Sequence, residues 1–124
     1  MTVFAIAFGG ALGSVLRYLM GGVIQRATHA GFPYGTLAVN VVGCLLIGVL
    51  VQHFMNAEPS STVRGFLVVG FCGGFTTFSA FSMETIGLLY GGSYLRASAY
   101  VLASVVLCLS ATAAGMTLTR TVSR

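Results

Sequence analysis

Gly73-Gly74-Phe75-Thr76-Thr77-Phe78-Ser79-Ala80-Phe81-Ser82 is the stretch on which the fold turns. It lies inside a long apolar segment, yet it holds a glycine pair, two threonines, two serines and three phenylalanines. Paired glycines make a helix costly to continue, and a Thr or Ser just after them can cap a new one. Interrupted backbone at membrane depth is tolerated only where protein buries it or where it lines a polar cavity. The run therefore points to an ion site at a broken helix.

Outward from this run the chain is apolar almost throughout. A soluble domain carries roughly a quarter of its residues as charges, whereas here 6% are charged and 56% hydrophobic, with mean hydropathy +0.96. Spanning helices need about 20 predominantly apolar residues each, and four such stretches fall at about 3–24, 36–54, 63–90 and 95–118. The expected fold is an all-α integral membrane protein of four transmembrane helices, the third broken near Gly73-Gly74. The expected organisation is a single four-span domain over residues 1–124. The first span begins near Met1, holds Arg17 and lacks a basic leader, so it reads as retained, not as a cleaved signal. Segment 28–35 holds Gly and Pro and closes the first turn; the Ser/Thr run in 56–62 can cap the third span. Gly91-Gly92-Ser93 closes the third turn, with Ser93 as a cap.

The formal charge of +4 does not imply nucleic acid. There is no lysine, and the six arginines form neither patch nor stripe. With the N-terminus cytoplasmic, Arg64, Arg120 and Arg124 fall inside, Arg26 and Arg96 outside, and Arg17 near that outer end. Orientation follows the excess of Lys and Arg in cytoplasmic loops, and here the excess is nearly nil. Two outcomes stay open. Either the chain inserts both ways and pairs with its own inverted copy, or a partner subunit or one strong charge fixes a single orientation. Gly9-x-x-x-Gly13 and Gly70-x-x-x-Gly74 offer small-residue faces for oligomerisation.

Enzyme chemistry has nothing to stand on. The only acids are Glu58 and Glu84, so paired carboxylates and a Ser-His-Asp set cannot be assembled. Cys44, Cys72 and Cys108 lack metal-ligand spacing and read as small buried residues, while His29 and His53 read as solvated loop histidines.

Polar residues within spans are the remaining candidates, because they are expensive in lipid. Asn40 brings two donors and an acceptor, for an ion or for an interhelical hydrogen bond. Phe78 and Phe81 share a helical face, with Ser82 four residues beyond Phe78. Two rings at that spacing pack well, but a ring also has a positive edge that can face an anion. Thr76 and Thr77, restarting the helix, would bring free N–H groups and a positive dipole end. In the fourth span Tyr100, Ser104 and Cys108 recur every four residues, with Ser110 and Thr112 nearby. Their hydroxyls line an ion path or bond back to their own helix carbonyls.

These residues together resemble a known family. Gly9-Gly10-x-x-Gly13-x-x-x-Arg17-Tyr18, Pro33-x-Gly35-Thr36-Leu37-x-x-Asn40-x-x-Gly43 and Gly73-Gly74-x-Thr76-Thr77-Phe78-Ser79-x-Phe81 are similar to motifs of the Fluc fluoride channels, also called CrcB. Ala80 stands where the family often has threonine, and Cys108 where a hydroxyl is expected.

The resemblance implies a passive fluoride channel protecting a bacterium, in its inner membrane, against fluoride. It implies an antiparallel, dual-topology homodimer with two pores in the lipid bilayer. Phe78 and Phe81 would line those pores, with Asn40, Ser82, Tyr100 and Ser104 nearby. Arg17 would be a vestibule residue, with snorkelling to the interface as its other use. A structural sodium ion would sit on the two-fold axis, held by the carbonyls of Gly73 and Thr76. Glu84 would lie toward a pore mouth or take a structural partner. The competing function is a small proton-coupled multidrug exporter, for which Glu84 is the sole embedded carboxylate.

Overall fold

The computed structural model describes residues 1–28 and 31–122. His29 and Arg124 lie outside the described residues. Four segments are long and apolar enough to cross a membrane: Thr2–Thr28, Tyr34–Ala57, Ser61–Tyr90 and Tyr94–Thr121. Two are single helices in the N-terminal half, α1 (Thr2–Thr28) and α2 (Tyr34–Ala57). The third span is composite. A short α3 (Ser61–Arg64) leads into a π-helix (Gly65–Cys72), then α4 (Gly73–Phe75), two extended residues, and α5 (Phe78–Tyr90). The last span is α6 (Tyr94–Val122).

The turns use the residues that turn chemistry demands. Ser60 caps the third span, its hydroxyl accepting from the Val63 N–H at 3.3 Å. After α5 the N–H groups of Gly92 and Ser93 donate to the carbonyls of Leu89 and Leu88, with Gly92 at φ 73°. That is a Schellman closure, and it needs the left-handed residue that glycine supplies. Ser93 stands just before α6, where its carbonyl, not its hydroxyl, accepts from Ala97 N–H at 3.0 Å.

The interruption falls at Thr76–Thr77, just beyond the glycine pair. Thr76 lies at φ −84°, ψ 158° and Thr77 at φ −151°, ψ 114°, whereas Gly73 keeps helical angles of −63° and −37°. The glycines serve another purpose. A Cβ on Gly74 would press on the Gly10 backbone, and one on Gly9 or Gly13 would overlap the Phe66 or Phe71 carbonyl. Gly70 likewise meets the backbone of Ile6 and Gly9. The two small-residue motifs therefore pack α1 against the third span within one chain, and the oligomerisation role read for them is corrected accordingly.

Helices α2 and α6 approach as closely. A Cβ on Gly48 would overlap the Thr112 carbonyl, and one on Gly115 the Leu45 carbonyl. The Thr112 hydroxyl donates to the carbonyls of Cys44 (3.1 Å) and Cys108 (3.2 Å). Positions along both helices rise together, so the pair runs parallel.

Fully buried side chains are few: Tyr100 is 0% and Val39 1% exposed. Large apolar residues face outward instead, Phe4 at 80% and Leu95 at 85% among them. Such a surface is unsuited to water and suited to a bilayer.

Glycine close packing makes a direct prediction. Gly48→Ala forces backbone apart and should cost about 1–3 kcal/mol. Gly87→Ala, with nothing within 4 Å of the new methyl, should leave the protein unchanged or stabilise it by up to about 1 kcal/mol. Thermal unfolding in detergent separates the two.

Candidate functional site

The break is held from outside its own helix. Asn40 on α2 receives the Thr77 N–H on its Oδ1 at 2.8 Å and donates from Nδ2 to the Thr77 carbonyl at 3.1 Å. One carboxamide thus replaces the missing partner of the Thr77 N–H and adds a second donor to the Thr77 carbonyl, which as the cap of α5 already accepts the first bond of that helix. Thr77 is buried, and its hydroxyl accepts from the Ala80 N–H at 3.2 Å, which makes it the cap of α5. The Thr76 N–H is bonded to the Cys72 carbonyl at 3.0 Å. The N–H groups expected to be free on Thr76 and Thr77 are therefore spent. By the geometry of a helix start, the groups left without intrahelical partners in the first turn of α5 belong to Phe78 and Ser79.

Beside the break lies a groove of about 480 Å³ whose lining includes Asn40, Thr76, Thr77, Phe78, Phe81 and Ser104. Phe78 and Phe81 stand 5.4 Å apart between centroids, tilted by 44°. Ser104 is 8% exposed, and its Oγ is buried without a hydrogen-bond partner. An unpartnered buried hydroxyl is costly and calls for a physical reason. Phe78 is 77% exposed, so one wall of the groove is open in a single chain.

Two expected pore residues lie off this groove. Ser82 donates to its own helix, to the Phe78 carbonyl at 3.0 Å. Tyr100 is sealed behind Phe81, at 5.2 Å between centroids, and Phe32, at 5.5 Å and edge-on. Its hydroxyl donates to Glu84 Oε2 at 2.7 Å, while Thr36 Oγ1 donates to Oε1 at 2.7 Å. Both oxygens of Glu84 have hydroxyl partners, the structural use its position left open.

Arg17 lines a second groove, of about 760 Å³, with Tyr18, Thr36 and Glu84 among its walls. Of the fourth-span ladder, Tyr100 and Ser104 are buried and Cys108 is half-buried, whereas Ser110 faces outward.

One expectation is overturned: the sodium ion held by Gly73 and Thr76. Among the described residues no three His, Cys, Asp or Glu side chains gather into a group able to hold a metal. Gly73 and Thr76 add no ionisable group, and the Thr76 hydroxyl is bonded to the Cys72 carbonyl at 3.0 Å. The ion is withdrawn.

The sequence pattern named Thr77 as a residue restarting the helix but did not single out Thr36 as a working residue. Thr36 could have been found from its place one turn before Asn40 on the same face of α2. For Thr77 the signal was its position as the last residue before the helical run resumes.

Four spans with an interrupted third and a groove beside the interruption define a polytopic helical membrane protein. The chain belongs to the CrcB family: the family model described as "CrcB-like protein, Camphor Resistance (CrcB)" matches residues 4–116. It is 49% identical to a "Fluoride-specific ion channel FluC" of Geobacter sulfurreducens, over 93% of this chain and 94% of that one. A protein of the same description from Rhizobium meliloti is 50% identical over 95% of each chain. Another, from Rhizobium johnstonii, is 47% identical over 93% of each. With such relatives and four apolar spans, the chain is an integral, multi-pass protein of a bacterial membrane.

Removing the Asn40 carboxamide strands the N–H of buried Thr77. Asn40→Ala should destabilise the fold by about 1–3 kcal/mol, and Asn40→Asp, which keeps the acceptor, by less. Comparing thermal unfolding of the three proteins checks the order.

Proposed function

We infer that this protein is a fluoride-selective channel through which fluoride leaves the cell passively. The observation that carries this reading is the unpartnered Ser104 hydroxyl, buried in a groove walled by Asn40, Phe78 and Phe81. A small, strongly hydrated anion must exchange its water for donors along its path. Ser104 offers a hydroxyl hydrogen, Asn40 has a second amide hydrogen beyond the one given to Thr77, and the rings offer positive edges. Relatives close to half identical over nearly the whole chain are described as fluoride-specific channels.

The chemistry of the ion explains the need. Hydrogen fluoride is a weak acid that crosses lipid and dissociates in a more alkaline cytoplasm, trapping fluoride. A passive channel then lets a negative-inside potential expel the anion. No catalysis is involved; the chain is not an enzyme. The multidrug exporter is disfavoured by its one candidate carboxylate. Glu84 is held by Tyr100 and Thr36 through both oxygens, a poor setting for a group that must exchange protons with a cationic drug.

The functional unit in this reading is an antiparallel homodimer of dual topology, each chain one four-span domain in the lipid bilayer of the inner membrane. The near-zero arginine bias supports insertion in both orientations. The open wall of the groove at Phe78, 77% exposed, supports completion of the path by a second chain. Arg17, in the wider groove, is the vestibule residue that gathers anions. Ser82 and Tyr100 contribute at one remove, Ser82 by steadying the first turn of α5 and Tyr100 by backing Phe81.

Phe81→Ile keeps bulk and removes the aromatic edge. Fluoride efflux from loaded liposomes, followed by electrode with chloride as control, should fall about tenfold or more, equivalent to about 1.4 kcal/mol at the barrier. Undiminished flux through a folded variant would sink the role of that ring.

A further inference from the structure

The groove has a second chemistry that fluoride passage does not use. Helices α2 and α6 run parallel and keep one register. Gly48 meets Thr112, and the Thr112 hydroxyl joins the carbonyls of Cys44 and Cys108. Cys44 precedes Gly48 by four residues and Cys108 precedes Thr112 by four, so each lies one turn earlier on the same helix face. With parallel helices in contact at Gly48 and Thr112, the residues one turn before them face each other. Both cysteines are free, both are half-buried, and both line the 480 Å³ groove.

We propose that Cys44 and Cys108 form a two-thiol site in the groove wall that binds a soft, thiophilic cation and thereby blocks the ion path. Soft thiolate ligands select soft metals, and a d10 ion such as Hg(II) is content with two opposed sulfurs. It does not need the cluster of three or more ligands that is absent here. On binding, two S–H bonds break and two S–Hg bonds form. Two protons leave to solvent, and no electrons change hands. The bound cation lies beside Asn40 and Ser104, one turn away on each helix, where its bulk closes the path.

The blocking step rests on the channel reading; the binding step does not, and the test separates them. Mercuric ion is titrated into purified protein, and the ultraviolet thiolate-to-mercury absorption is followed against glutathione as competitor. One ion per chain should bind. Losing either thiol removes the chelate advantage, so Cys44→Ala and Cys108→Ser should each weaken retention by about a hundredfold. Cys72→Ala should leave it unchanged, although Cys72 lines the same groove. Cys44→Ser supplies a second form of the variant should alanine at that site fail to fold. In liposomes, one equivalent of mercuric ion should bring wild-type fluoride efflux to the level of empty vesicles, with recovery on adding dithiothreitol.

Retention within twofold of wild type in both single-thiol variants would overturn the pairing. So would equal loss in Cys72→Ala. Tight binding with undiminished efflux would overturn the block. Absence of efflux before any mercury is added would instead remove the channel reading, and the titration would still decide the pairing.

Discussion

The fold depends on one side chain holding both backbone polar groups of one residue. A spanning helix that stops inside a bilayer exposes polar backbone that lipid cannot satisfy. At Thr77 the stop is made affordable by the Asn40 carboxamide, which bonds both the N–H and the carbonyl of the same residue. The bidentate contact also sets geometry. It ties α2 to the third span at the level where α5 restarts, and so determines where the faces of Phe78 and Phe81 point. Asn40 is thus a positioning residue first, with a remaining amide hydrogen available to the groove.

Around that anchor the packing is done by glycine rather than by large apolar side chains. In lipid there is no hydrophobic gain in bringing helices together, and close backbone approach supplies the dispersion contacts instead. The third span meets α1 through Gly9, Gly13, Gly70 and Gly74, and α6 meets α2 through Gly48 and Gly115. Upstream of the break the chain is π-helical over Gly65–Cys72. Such segments are rare and often occur at functional sites; here one is separated from the interrupted backbone by the single turn of α4.

Much of this was legible in the sequence, and the parts that were not share a cause. Span number, span limits within a few residues, and the interrupted third helix follow from hydropathy and local turn chemistry, which depend only on neighbours in the chain. The cap at Thr77 was legible for the same reason. The interruption was expected at the glycines because glycine weakens a helix wherever it sits. Which use a glycine serves depends on what faces it, and Gly74 faces Gly10. The hydroxyls divide in the same way: Ser82 bonds its own helix while Ser104 is left unpaired, and no spacing rule separates a partner three helices away from one a turn back. Glu84 was awkward in isolation and is ordinary once Thr36 and Tyr100 are found beside it.

The α2–α6 pair is joined differently along its length. Along the shared register the facing groups run from Gly48 and Thr112, through Cys44 with Cys108 and Asn40 with Ser104, to Thr36 and Tyr100 with the Glu84 carboxylate between them. At Gly48 and Gly115 the two helices are held by backbone contact, and near Tyr100 by hydrogen bonds through a carboxylate carried on α5. The groove beside the break lies between these two attachments. Its walls at Asn40 and Ser104 are therefore fixed from one side by backbone packed on backbone and from the other by a carboxylate with a hydroxyl on each oxygen.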